Sequence, residues 1–201
     1  MITKVQERTL RTSAPPYAGV RLSPLEKAML RWVTVDDGDR VLDASIGSGA
    51  MAEYLRRYMN CEVCGVSDSM EDVREARSRL SSCDIVFAPP SDIPWRGGSF
   101  DTVLIKLKWD RDTLMRSLAE ARRVLKAGGQ LVLGATCCAG AFSRFLGLGA
   151  DLEASDVPDR RELMAMLDSL SFQNLVWQRT GLGTGVLIGW KRKRDPEELL
   201  A

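Results

Sequence analysis

Histidine is absent from the 201-residue chain. Its absence removes the commonest general base and the commonest metal ligand, so histidine-containing triads and histidine-ligated metal centres are excluded. Net charge is nearly absent too. With 28 basic residues against 27 acidic ones, nothing global argues for nucleic acid or an anionic membrane surface as a partner. Aromatic residues are few, at 6%, while hydrophobic residues reach 45%, an ordinary globular balance. No apolar run approaches the length of a membrane span. The segment Met1 to Arg8 lacks the apolar core of a signal peptide, and a cytoplasmic protein is expected.

Cysteine is present in odd number, at Cys61, Cys64, Cys83, Cys137 and Cys138, which favours reduced thiols over a disulfide framework. Cys61 and Cys64 have a metal-like spacing, but they fall in an expected strand, where residues three apart point to opposite faces. No second pair completes a site, so no metal is expected.

What the chain does have is alternation of strand and helix patterns, the mark of a parallel sheet. Residues 1–23, with Ala14-Pro15-Pro16-Tyr17, are expected to form an arm or lid. Ser23-Pro24-Leu25-Glu26 is a helix-start signature, and a helix over 24–33 follows. The spacing then predicts strand 40–44, helix 49–59, strand 61–66, helix 69–80, strands 83–87 and 101–106, helix 111–125 and strand 130–135. Residues 136–158, rich in small side chains, read as a broken helix or lid. A helix over 159–170 precedes two β-rich runs, 172–180 and 185–191, whose Gly181-to-Thr184 connection favours an antiparallel hairpin. The basic cluster Lys191 to Arg194 reads as a solvated sheet edge. A single domain over 24–192 with a polar tail, 193–201, accounts for the length.

The most informative stretch is Val41-Leu42-Asp43-Ala44-Ser45-Ile46-Gly47-Ser48-Gly49. An apolar strand runs into a carboxylate and then a small-residue turn before a helix, the place where open α/β sheets bind nucleotide-like ligands. Taken alone, Gly47 to Ala52 also fits a Gly-x-Gly-x-x-Ala dinucleotide fingerprint with Asp68 for the ribose. Two further segments discriminate: Ile93-Pro94-Trp95-Arg96-Gly97-Gly98-Ser99-Phe100-Asp101-Thr102-Val103, and Glu120-Ala121-Arg122-Arg123-Val124-Leu125-Lys126-Ala127-Gly128-Gly129.

In that order and spacing the three segments resemble the class I S-adenosylmethionine-dependent methyltransferases, in particular the small-molecule branch that includes the ubiquinone and menaquinone biosynthesis type. The resemblance implies an α/β, three-layer, Rossmann-like methyltransferase fold with a seven-stranded, mostly parallel sheet whose last strand is antiparallel. It also implies S-adenosyl-L-methionine as cofactor and a small-molecule methyl acceptor, with no nucleic-acid partner. The methionyl end of the cofactor is expected on Asp43, Ser45, Gly47 and Gly49. Ser45 stands where the family usually has its first glycine. Ser67 stands where an acid usually binds the ribose, with Asp68 one residue late; either Asp68 reaches the ribose, or Ser67 does and Asp68 caps the next helix. Pro89 stands where an acid usually meets adenine, leaving Pro90 and Ile93 to pack the ring and Asp92 as a substitute. Asp101 is expected to hold the loop before it.

Methyl transfer is an in-line displacement that depends chiefly on alignment and exclusion of water, so a protein base is optional. Without histidine, the candidate bases are Tyr17, Lys106, Lys108, Asp110 and water. Lys106 is expected among the cofactor contacts at the place where the acceptor pocket begins, with Tyr17, Lys108 and Trp109 as substrate contacts. An inactive protein that kept the fold for binding or regulation is the competing reading, motivated by Ser67, Pro89 and the missing histidine.

Overall fold

A computed structural model describes residues 19–107, 111–136, 158–181 and 184–193. Its helices are α1 (Pro24–Leu30), α2 (Ala50–Met59), α3 (Met70–Arg79), α4 (Arg111–Val124) and α5 (Arg160–Ser169). Its strands are β1 (Arg40–Asp43), β2 (Glu62–Ser67), β3 (Asp84–Phe87), β4 (Phe100–Lys106), β5 (Leu125–Thr136), β6 (Phe172–Gly181) and β7 (Thr184–Lys191). They form one seven-stranded sheet in the order β3-β2-β1-β4-β5-β7-β6. The first five strands pair in parallel, and β7 runs antiparallel to both β5 and β6. The expected Rossmann-like architecture is therefore present. Strand order reverses between β1 and β4, so the carboxyl ends of these two strands flank the switch point where such sheets take ligands.

Both faces of the sheet are covered. Alternation along each strand sends Val41, Val63 and Leu104 to one core, with Met29, Met51 and Leu55 from the helices, and Leu42, Cys64 and Val103 to the other, with Leu114, Leu118 and Leu163. Cys61 joins the first core and Cys64 the second, the opposite-face arrangement that the strand period requires. No helix among the described residues is long and apolar enough to cross a membrane.

Helix α1 matters because it reaches the site. Ser23 and Glu26 form a capping box, Ser23 N–H donating to Glu26 Oε2 at 2.8 Å and Glu26 N–H to Ser23 Oγ at 3.2 Å. The helix lies close on β5 because Gly134 has no side chain: a Cβ there would stand 2.4 Å from Met29 Sδ. It stops at Leu30, short of the expected 33, because buried Gln130 captures the chain beyond it. Gln130 Nε2 donates to the Trp32 carbonyl at 2.8 Å, and its Oε1 accepts from Thr34 N–H at 2.9 Å.

Two expectations need correction. Strand β5 begins at Leu125 rather than 130, since Leu125 pairs with Phe100 before a register shift absorbs Lys126 to Gly129, with Gly128 at φ +80. Strand β7 is not an edge. It lies between β5 and β6, and Lys191 Nζ donates to the Leu125 carbonyl at 2.6 Å, so this lysine ties two strands together.

Candidate cofactor site

The turn after β1 is held down on the sheet from three sides. Backbone bonds run from Ala44 N–H to Leu104 O at 2.9 Å and from Ile46 N–H to Val66 O at 3.1 Å. Ile46 fills the space above Gly65 of β2. Gly47 and Gly49 take left-handed backbone, φ +52 and +78, and at Gly49 a Cβ would come within 3.2 Å of Ala76 on α3.

Asp43 is fully buried. Its Oδ1 accepts from Ser45 N–H at 3.1 Å and from the Ser45 hydroxyl at 3.4 Å, while its Oδ2 has no hydrogen-bond partner among the described residues. A buried carboxylate oxygen left unpaired is costly, so its retention calls for a ligand donor. Ser45 keeps an ordinary backbone conformation, and its departure from glycine acquires a role. Its Oγ accepts from Lys106 N–H at 2.7 Å, linking the end of β4 through one hydroxyl to Asp43.

Lys106 extends over the turn. Its Nζ lies 3.7 Å from where a Cβ on Gly47 would stand and donates to Glu26 Oε1 at 3.2 Å. The two side chains are 14% and 11% exposed, so solvent screens this pair little. Burial lowers the Lys106 pKa, but the charges of Asp43, Glu26 and Asp72 outweigh it and the net shift is upward. Burial raises that of Glu26, yet Lys106 and the Ser23 hydrogen bonds bring it below the ordinary carboxylate range. Burial dominates at Asp43 and pushes its carboxyl up, against the pull of Lys106. An ammonium held this firmly charged is no general base near neutral pH, which removes Lys106 from the candidate bases.

At the end of β2, Ser67 is buried, its hydroxyl donating to Asp72 Oδ2 at 3.0 Å and accepting from Ser69 N–H at 3.1 Å. Asp68 is exposed, and Ser69 rather than Asp68 caps α3, accepting from Asp72 N–H at 3.3 Å. The carboxylate bonded to the end of β2 is therefore that of Asp72. Sequence reasoning missed both Asp72 and Glu26. Ser23-x-x-Glu26 was legible as a cap, but no local signal brings position 26 to position 106.

Beyond β3, Pro89 and Asp92 are exposed and Pro90 is buried. Ile93 is 2% exposed and packs in the second core with Phe100, a placement turned away from open surface. Its backbone is clamped by α4: Ile93 N–H donates to Glu120 Oε2 at 2.9 Å, and Arg123 donates to the carbonyls of Ile93 at 2.8 Å and Trp95 at 2.7 Å. Glu120 and Arg123, not Asp101, hold that loop. Asp101 instead accepts from Arg40 N–H at 3.0 Å and from Lys126 at 2.7 Å, joining the starts of β1 and β4 to β5. Tyr17, Lys108, Trp109, Asp110 and the expected lid over 136–158, apart from its end residues Thr136 and Pro158, lie outside the described residues.

This architecture is shared with solved methyltransferases. An S-adenosylmethionine-dependent methyltransferase of Thermotoga maritima, described as a possible histamine N-methyltransferase, superposes with a TM-score of 0.65 at 19% identity over 84% of this chain and 88% of its own. The fold is thus one that S-adenosylmethionine-dependent methyltransferases of known structure share. The sequence agrees: residues 42–133 match the methyltransferase domain family. The demethylmenaquinone methyltransferase of Thermotoga maritima is 30% identical over 97 residues, 47% of this chain, and the chain spans 42% of that relative's length. The ubiquinone/menaquinone biosynthesis C-methyltransferase of Paracoccus denitrificans is 25% identical over 196 residues, 82% of this chain and 78% of its own. The chain is similar to the methyltransferases of the ubiquinone/menaquinone type. Their cofactor is S-adenosylmethionine, and the unpartnered Asp43 oxygen beside two left-handed glycines fits that group's cationic methionyl end.

Proposed function

We propose that the protein methylates a small-molecule acceptor, with residues 24–192 as the catalytic domain and 1–23 as an arm or lid. The observation that carries this reading is the unpaired, buried Oδ2 of Asp43 at the carboxyl end of β1. S-adenosylmethionine supplies the activated methyl group when bound. Asp43 and the Gly47-to-Gly49 turn hold its methionyl end, Asp72, braced by Ser67, takes the ribose hydroxyls, and Pro89 and Pro90 border the adenine.

Among the described residues the site supplies alignment rather than a base. Lys106 stays charged and histidine is absent, so the acceptor most compatible with the site ionises by itself, as a phenol-like or enol-like ring does. A quinone precursor has that chemistry, and the names of the two menaquinone-type relatives support it. Free thiols at Cys61, Cys64 and Cys83 suit a reducing, cytoplasmic setting.

One observation favours the binding-protein reading: the Lys106–Glu26 pair already satisfies charge at the turn. Calorimetric titration with S-adenosylmethionine, followed by turnover with a panel of hydroxylated quinols, decides between them. Binding with methyl transfer supports the enzyme. Absence of binding at millimolar cofactor rejects it.

A further inference from the structure

The lysine over the turn is an unusual neighbour for a cofactor whose reactive sulfur is a cation. Its backbone is pinned through Ser45 Oγ, and its ammonium is pinned to Glu26, which the Ser23 capping box and the seat of Met29 on Gly134 hold in turn. Lys106 therefore cannot swing away without leaving Glu26 buried and unpaired. Its positive charge is a fixed part of the site, in surroundings where charges interact more strongly than in water.

We propose that Lys106 is a specificity-determining residue that sets the protein's preference between the sulfonium cofactor and its neutral thioether product, disfavouring the sulfonium. The inference rests on the cofactor reading above. S-adenosylmethionine and S-adenosylhomocysteine share the adenosine, the α-ammonium and the α-carboxylate, so whatever Lys106 does to those groups cancels in the ratio of the two affinities. The two ligands differ in one methyl group and one charge at sulfur. A fixed ammonium nearby penalises only the charged one.

The experiment is calorimetric titration of both ligands into wild type, Lys106→Met and Lys106→Arg. Lys106→Met is expected to shift the affinity ratio towards S-adenosylmethionine by about five- to tenfold, and Lys106→Arg to keep the wild-type ratio. If Lys106→Met does not fold, the double variant Lys106→Met/Glu26→Gln is compared with the single variant Glu26→Gln, so that the Glu26 charge is absent from both, and the ratio is expected to shift in the same direction between them. A ratio unchanged within twofold in a folded Met variant that still binds both ligands overturns the inference and leaves the cofactor reading intact. A wild-type protein that binds neither ligand at millimolar concentration overturns the cofactor reading itself, and the inference falls with it.

Discussion

Ile46 of the turn and Gly65 of β2 interlock: a Cβ added at Gly65 would lie 2.1 Å from Ile46 Cδ1, and Ile46 is 1% exposed. The turn that presents Asp43 is thus seated on the sheet by a missing side chain in the neighbouring strand. Gly65→Ala forces Ile46 outward and is expected to cost about 1–3 kcal/mol of stability, read from denaturant unfolding. Cofactor affinity falls with it, since the turn moves. The paired variant Gly65→Ala/Ile46→Ala, which restores the space, is expected to recover binding in part.

Asp43 carries a stability cost that function retains. Burial holds its carboxyl above the ordinary 3.8, with Lys106 opposing, so the folded chain keeps this proton more tightly than the unfolded chain does. Its contribution to stability therefore declines as pH rises from the ordinary value through the raised one. Asp43→Asn is expected to melt higher than wild type at pH 8, with the gain shrinking as pH falls towards 3.8, while cofactor affinity drops. Thermal melts across pH read the first effect and calorimetry the second.

Glu26 behaves with the opposite sign. Burial alone would raise its pKa, but Lys106 and Ser23 hold it below the ordinary 4.5, so its stabilisation is present above that value and is lost as pH falls through the lowered one. Glu26→Gln strands the Lys106 ammonium with Asp43 and Asp72 only. A loss on the order of 3 kcal/mol at pH 7 is expected, closing to near zero in strong acid, as measured by urea unfolding at each pH.

In the proposed function Asp72 takes the place of the acid that the end of β2 lacks. Asp72→Asn is expected to weaken binding of both S-adenosylmethionine and S-adenosylhomocysteine by about ten- to a hundredfold, the worth of hydrogen bonds to a charged group. Ser67→Ala, which frees the carboxylate from its brace, gives a smaller loss in the same titration.

Much of this was legible in the sequence because it is local. The strand–turn–helix around Asp43 to Gly49, the hairpin ending at Lys191, and the Arg123-to-Gly129 phrase each carry their own period or turn chemistry. The Arg123 phrase proved to be structural, a clamp on the Ile93 backbone. What was not legible depends on distance in the chain. Glu26 meets Lys106 across 80 positions, and Gln130 shortens α1 from 98 positions beyond Trp32. Ser45 read as a lost glycine because a propensity argument sees only backbone freedom, whereas its hydroxyl bridges β4 to Asp43. Asp72 lies one helical turn past the strand end, where a search for an acid at the strand end itself does not look.

The central claim is that the Asp43 turn is the cofactor site. Calorimetric titration of S-adenosylmethionine into wild type and Asp43→Ala, each shown folded by circular dichroism, tests it most directly. The account predicts binding well below millimolar by wild type and at least a tenfold loss in the variant. Equal affinity in both proteins, or no binding by wild type at millimolar cofactor, would contradict it.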